Sequence, residues 1–271
     1  MFKIATDSTP ICPVVSGTAA QPPLRALDRL RDRNFEVEFH SHAAPILEVE
    51  FPEALRDLSS VLEGVSIPIG EIIGSGGGEA AGTQRMRRAL AKLDWIKKKF
   101  EIRKTVNGVE RESISHEIDH VKTFPAGTLA LEIEWNNKDP FFDRDLENMK
   151  RLHTENAISA GVIITRGSSL HGSMREFVRR WATEHGVASF EDLERLDVEL
   201  TRRKKADIAK RAKRVPFIEA FTANFVADKY GEATTHWRKL QDRVHRGVGH
   251  PCPLVLIGLP AEVIAFEQTL P

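Results

Sequence analysis

Hydrophobic positions along this chain follow two different periods. Over residues 128–135 they alternate with polar ones, the pattern of a strand with two distinct faces. That alternation puts Glu132 and Glu134 on one face and Leu131 and Ile133 on the other. Upstream, residues 100–106 and 109–113 alternate around Asn107-Gly108, a pair that favours the tight turn of a β-hairpin. The second arm continues through Ser115 to Asp119. Phe124-Pro125-Ala126-Gly127 then turns the chain into the next arm, which predicts an antiparallel meander. Residues 35–39 also alternate like a strand. Residues 160–165 (AGVIIT) and 253–258 (PLVLIG) are continuously apolar, as in strands buried on both faces.

Helical spacing appears elsewhere. Residues 52–62 carry Leu55, Leu58, Val61 and Leu62 behind Pro52, which suits a first turn. Residues 79–100 predict a long basic helix with Met86, Leu90, Leu93, Trp95 and Ile96 on its apolar side. Residues 143–152 place Leu146, Met149 and Leu152 on one face, with Asp143 as the cap. Shorter helices are predicted over 25–32, 173–185, part of 190–200, and 261–270. The order meander, helix, strand implies an α/β fold, a mixed β-sheet flanked by helices. Residues 1–24 are rich in Pro, Ser and Thr, and 1–34 reads as an irregular N-terminal extension to one domain over 35–271.

Composition narrows the function less than pattern does. Lys and Arg number 39 and so do Asp and Glu, so global charge names no partner. Local charge says more: residues 85–99 and 201–214 are strongly basic, and the first block fits a phosphate-contacting surface and a solvated helix face equally. Cys12 and Cys252 match no paired-cysteine motif, which suggests a reducing compartment without a disulfide framework. No apolar run approaches the roughly 20 residues of a membrane span, and the N-terminus lacks a secretory pattern. A cytoplasmic protein with no membrane partner is expected. The glycines at 76–78 are not followed by Gly-Lys-Ser/Thr, which argues against a phosphate-binding loop. His40-Ser41-His42 offers two metal donors but no third nearby in sequence.

The candidate chemistry lies in residues 119–145. Asp119, Glu132 and Glu134 converge if the turn at 124–127 folds as predicted, and three convergent carboxylates call for protons or a cation. A hard divalent ion with oxygen ligands, Mg2+, suits them. Asp119 and Glu132 are the expected ligands, with the Ile133 carbonyl as a third oxygen and Glu134 as proton acceptor or ligand of a second ion. Spacing alone favours the plainer reading, a surface hairpin with exposed glutamates, and it is the context that shifts the balance. The polar stretch that follows, Asn136-Asn137-Lys138, has the side chains that touch bases and phosphates.

Asp119, then Glu132-Ile133-Glu134, then WNNKDPFFDRDLENMKRLH and AGVIITRG resemble the BglII/BstYI type of type II restriction endonuclease, with a BamHI-like acidic triad. The resemblance implies a PD-(D/E)xK core, a homodimer, and Mg2+-dependent cleavage of both strands of duplex DNA at a short palindrome. It further implies GATC-centred sites, 5′ overhangs, and a cognate methyltransferase in the same system without a stable complex. Asp119 and Glu132 take the positions of the metal-binding acids. Glu134 departs from the superfamily, where that position is usually Lys. A further polar residue from the preceding helix often completes such sites, and Glu79 is the candidate, with Gln84 as alternative. For DNA contact the resemblance adds Arg85 and Arg88, Ser168, Ser169 and His171, and Arg203, Lys204 and Lys205 to Asn136, Asn137 and Lys138. Two other readings compete. One is a DNA-binding protein on the same fold that no longer cleaves. The other is a small-substrate metal hydrolase built on His40 and His42.

Overall fold

Left-handed backbone at Asn107 (φ 53°) and Gly108 (φ 76°) closes the longest hairpin, between β3 (Ile96–Val106) and β4 (Val109–Phe124). Gly127 then turns the chain into β5 (Gly127–Glu134), which runs antiparallel to β4 with Phe124 opposite Gly127 and His120 opposite Leu131. These three strands are the predicted meander. The computed structural model describes residues 25–74 and 79–266.

Before the meander come α1 (Arg25–Asp32), β1 (Glu36–His40), α2 (Ala43–Glu50), α3 (Pro52–Glu63), β2 (Ile67–Pro68), α4 (Ile69–Ile73) and α5 (Ala81–Ala91). After it come α6 (Phe141–Thr154), β6 (Ala160–Arg166), α7 (Ser168–Glu184), α8 (Phe190–Arg195), α9 (Arg202–Ala212), α10 (Phe217–Lys229), α11 (Trp237–His245) and β7 (Leu254–Leu259). A 3₁₀ turn (Ala261–Val263) leads to β8 (Ile264–Ala265), which pairs with β2.

The main sheet has the order β1-β7-β6-β5-β4-β3. Its centre, β5-β6-β7, is parallel, and both flanks are antiparallel. This is a mixed sheet between helical layers, the restriction-endonuclease-like architecture anticipated above. The central strands are buried on both faces, so alternate residues feed two cores. Leu131, Val162, Ile164 and Ile257 face a core that includes residues of α1, α3, α4, α5, α7 and α10. Ala130, Ile163, Leu254 and Leu256 face a second core with Leu146, Met149 and Leu152 of α6 and Leu240 of α11. Glu132 and Glu134 share the parity of Ala130 and belong to the α6 side of the sheet.

Several boundaries differ from the sequence reading. The helix predicted over 79–100 stops at Ala91, because Asp94 adopts left-handed backbone (φ 64°) and the Trp95 amide folds back on the Leu90 carbonyl. Trp95 is then buried and donates to Asp57, while Lys97, Lys98 and Lys99 belong to β3. Asp143 lies in the first turn of α6 rather than at its cap, and its carboxylate takes the Arg243 guanidinium. The helix expected from residue 173 starts at Ser168, where the Glu36 carboxylate caps it through the Ser168 amide (2.5 Å) and hydroxyl (2.7 Å). The closing helix expected over 261–270 is a 3₁₀ turn and a strand as far as the described residues reach. Within the segment expected to be an irregular extension, α1 packs Leu27 and Leu30 into the core, while residues 1–24 lie outside the described residues. The 75–78 glycine joint also lies outside them.

The approach of α6 to the sheet depends on Gly161. A Cβ there would collide with the Met149 sulfur and meet Leu254 Cδ2 at 3.0 Å. Gly161→Ala is expected to destabilise the fold by about 1–3 kcal/mol through overpacking. Urea unfolding should show a lower midpoint with an unchanged slope.

Candidate active site

A register shift in the hairpin sets the geometry of the acids. Ile96 pairs with Val121 but Lys98 pairs with Ile118, so Asp119 and His120 together oppose the single residue Lys97. This is a β-bulge, which re-aims the side chains beside it. Continuing the β4–β5 register sets Asp119 across from Glu132, and the Asp119 amide donates to Glu132 Oε1 at 3.4 Å. Asp119 stands 55% exposed and its carboxylate lies 3.6 Å from Lys97 Nζ.

Glu132 and Glu134 are almost fully buried, 5% and 3% exposed, which excludes the surface-hairpin alternative. Burial on the α6 side comes from the sheet below and the helix above. A third buried carboxylate, Asp145 (1% exposed), reaches the same place from α6. Burial raises all three above the ordinary carboxylate range. For Glu132 the next causes are the charges of Asp145 and Asp119. Glu134 is pushed to about 8 by burial and then by Asp145. Arg144 opposes this, with Nε 2.8 Å from Asp145 Oδ1 and an amino group 3.6 Å from Glu134. Asn137 Nδ2 donates to Glu134 Oε2 at 2.7 Å. Asp145 and Glu134 also share a side-chain hydrogen bond, which requires one of the two carboxyls to carry a proton.

Asp119 and Glu134 open onto a cavity of about 680 Å³, lined also by Glu79, Arg87, Asn137 and Arg144 among others, whereas Glu132 and Asp145 lie behind its wall. Ile133 and Asn136 line it as well. The cavity thus gathers Asp119, Glu134, Glu79 and the first two DNA-contact candidates. Glu79 precedes α5 rather than lying on it, and it pairs with Arg87 at 3.1 Å. Gln84 donates to the Glu79 carbonyl.

The other DNA-contact candidates lie outside this cavity. Arg85 is paired with Glu71 (2.5 Å), Arg88 with Gln84, Lys204 with Asp228, and Lys205 with Glu194. Arg203 is exposed on α9. Ser168 is bonded to Glu36, and Ser169 accepts the Ala261 amide. His171 stacks on His236 and contacts Glu232. Lys138 forms a β-bridge with Thr234.

Asp145 is the site residue that sequence reasoning passed over. A signal for it existed. The buried face of α6 runs Phe142, Asp145, Leu146, Met149, Leu152, so a carboxylate occupies a helical apolar stripe. Such a position is rarely acidic unless the charge has a use.

A mixed sheet whose central hairpin carries clustered acids beside an open cavity is the architecture of a PD-(D/E)xK nuclease. Comparison with protein families agrees. The model described as Restriction endonuclease BglII/BglIII matches residues 35–259. The chain belongs to the BglII/BglIII restriction endonuclease family. It is a type II restriction endonuclease, a hydrolase that cleaves DNA at specific sites, and the family implies a divalent metal ion. No curated protein matches the chain in a sequence comparison. No helix among the described residues is long and apolar enough to cross a membrane.

The raised carboxylates have a consequence for stability. Glu134 titrates near 8 when folded and near 4.5 when free, so the folded chain holds the extra proton. Its stabilising share is full below the free value and is lost as pH rises through about 8. Glu132 and Asp145 act in the same direction. The metal-free chain is therefore expected to lose stability, on the order of a few kcal/mol, between about pH 5 and pH 8.5. Thermal unfolding across that range should show the decline, and Glu134→Gln should make it shallower.

Proposed function

We propose that this endonuclease hydrolyses both strands of duplex DNA at a short palindrome using Mg2+ held by Asp119, Glu132 and the Ile133 carbonyl. The observation that carries the reading is the burial of three neighbouring carboxylates, of which Glu134 borders a cavity that the exposed Asp119 also lines. That donor set is all oxygen and its negative charge exceeds what Arg144 and Lys97 neutralise, which fits a hard divalent cation. Mg2+ bound there would stabilise negative charge on the phosphoryl oxygens.

The chain's own groups do the rest. Glu134, oriented by Asn137 and Arg144, takes the proton of the attacking water. The water oxygen bonds to phosphorus as the bond to the 3′ oxygen breaks, leaving a 5′ phosphate and a 3′ hydroxyl that acquires a proton. Arg87, Lys97 and Arg144 ring the cavity and attract the phosphate backbone. Asn136 and Asn137 follow β5 directly, so a base-contacting segment adjoins the catalytic acid. Asn137 is already bonded to Glu134, which couples the two. A palindrome has two-fold symmetry, and a homodimer with one such site per strand matches it. GATC-centred recognition with 5′ overhangs is the sequence class the family likeness favours. The domain responsible is residues 35–271.

Incubation of phage or plasmid DNA with the protein and Mg2+ should give discrete fragments with 5′ phosphates. Run-off sequencing of the ends would read the site and the cut position. Asp119→Ala and Glu134→Ala should each lower cleavage by about 10²–10⁴-fold. Duplex binding should stay within a few-fold, as measured by gel shift in Ca2+. A smear in place of bands, or cutting unaffected by both substitutions, would refute the assignment. Specific binding with no cleavage in Mg2+ or Mn2+ would favour the non-cleaving alternative.

A further inference from the structure

The isolated pair His40 and His42 acquires a different set of partners in the fold. Alternation along β1 puts Glu38 and His40 on one face of an edge strand, while His42 leaves it in left-handed backbone (φ 62°) at the start of α2. The last turn of α11 brings His245 to that face. His40 Nε2 lies 3.1 Å from Glu38 Oε2. The His40 and His245 rings are 5.8 Å apart and tilted by 58°. One donor atom from each of Glu38, His40 and His245 lies within 4.8 Å of the other two.

These separations suit a shared ion. Two donors at about 2.0–2.1 Å from a tetrahedral zinc are roughly 3.3 Å apart. The Glu38–His40 spacing is already at that value, and His245 is an exposed side chain free to close the remainder. His40 also lines a cavity of about 160 Å³ with Ser41 and His250.

A second cluster, His171, Glu232 and His236, has the same donor types but the wrong geometry. Its rings are stacked at 3.9 Å and nearly parallel, at 9°, so their in-plane lone pairs do not meet at one ion. His171 Nδ1 also faces the Arg166 guanidinium at 3.3 Å and must stay an acceptor. A metal on Nε2 would require the proton to sit at Nδ1.

We propose that Glu38, His40 and His245 form a second metal site, for a zinc-type ion, that staples the edge strand β1 to α11. Two imidazoles and one carboxylate select a borderline ion over Mg2+. The site is separate from the catalytic acids, since β7 and β6 lie between β1 and β5. It has a route of influence nonetheless. On α11, Arg243 bonds Asp143 at 2.9 Å and reaches Asp139 at 3.4 Å, so the stapled helix holds the chain between Glu134 and Asp145.

The test is a Co2+ titration of the full chain, followed by visible d–d absorption in excess Mg2+ to saturate the oxygen-donor centre. One equivalent of cobalt should bind. His40→Ala and His245→Ala should each weaken it by more than the roughly 10- to 100-fold that loss of an outer-shell partner costs. His42→Ala should leave it unchanged. Zn2+ should raise the thermal midpoint of the native chain but not that of His245→Ala, whose metal-free midpoint should match the native one. Absence of cobalt binding in excess Mg2+, or binding that survives His245→Ala, overturns the proposal, and loss with His171→Ala alone assigns the ion to the other cluster. DNA cleavage is not the readout, so this result stands apart from the nuclease assignment.

Discussion

Three carboxylates buried within one another's reach, with one guanidinium beside them, are the constraint on which this structure turns. Isolated, each would cost several kcal/mol to bury in charged form. The fold places them there by crossing two periodicities. The two-residue repeat of β5 delivers Glu132 and Glu134, and the helical repeat of α6 delivers Asp145. Protons relieve the repulsion in the metal-free chain, and the cation proposed above would relieve it in their place. On the proposed reading, the raised titration of Glu134 and the divalent ion implied by the family are two views of the same electrostatics.

The surroundings hold that arrangement in place. Arg166 is fully buried without a carboxylate partner, and burial lowers its pKa to about 10. It is tolerated because its donors find the carbonyls of Trp135 and Thr235 and the hydroxyl of Thr234, at 2.6–2.7 Å. Those bonds tie the end of β5 to the 231–235 loop. The Thr235 amide on the Asn137 carbonyl, and the Asp139 amide on the Ala233 carbonyl, extend the tie along the segment after β5. The stretch that joins Glu134 to Asn136 and Asn137 is thus pinned at several points, and Asn137 bonds Glu134 directly. On the opposite side of the hairpin, Asp57 accepts from both Trp95 and Lys122 and fixes α3 against β4.

Much of the fold was legible because its signals are local. Asn107-Gly108 announced a hairpin, AGVIIT and PLVLIG announced doubly buried strands, and the alternation of 128–135 assigned Glu132 and Glu134 to a shared face. The misread boundaries share a cause. Asp94 ends α5 in a conformation that periodicity does not register, since the apolar pattern runs on into Trp95. Helix α7 begins at Ser168 because Glu36, 132 positions away in the chain, caps it. Gly167 is required there, since a Cβ would lie 2.6 Å from that carboxylate.

The sequence by itself determined the strand and helix alphabet, the pairing of two acids on one face, and the family. Each follows from neighbours a few residues apart, where backbone geometry and side-chain period are sufficient. Tertiary structure alone decided the rest. The bulge at Asp119 and His120 depends on how two strands fit. The entry of Asp145 depends on which side of the sheet α6 covers. The fate of the basic residues also depends on it, since Lys204 and Lys205 of α9 pair with Asp228 and Glu194 outside the cavity, while Arg87, Lys97 and Arg144, each paired with a carboxylate of its own, line the cavity beside the acids. Electrostatic partnership is fixed by distance in space, and the chain order of the charges carries little information about it.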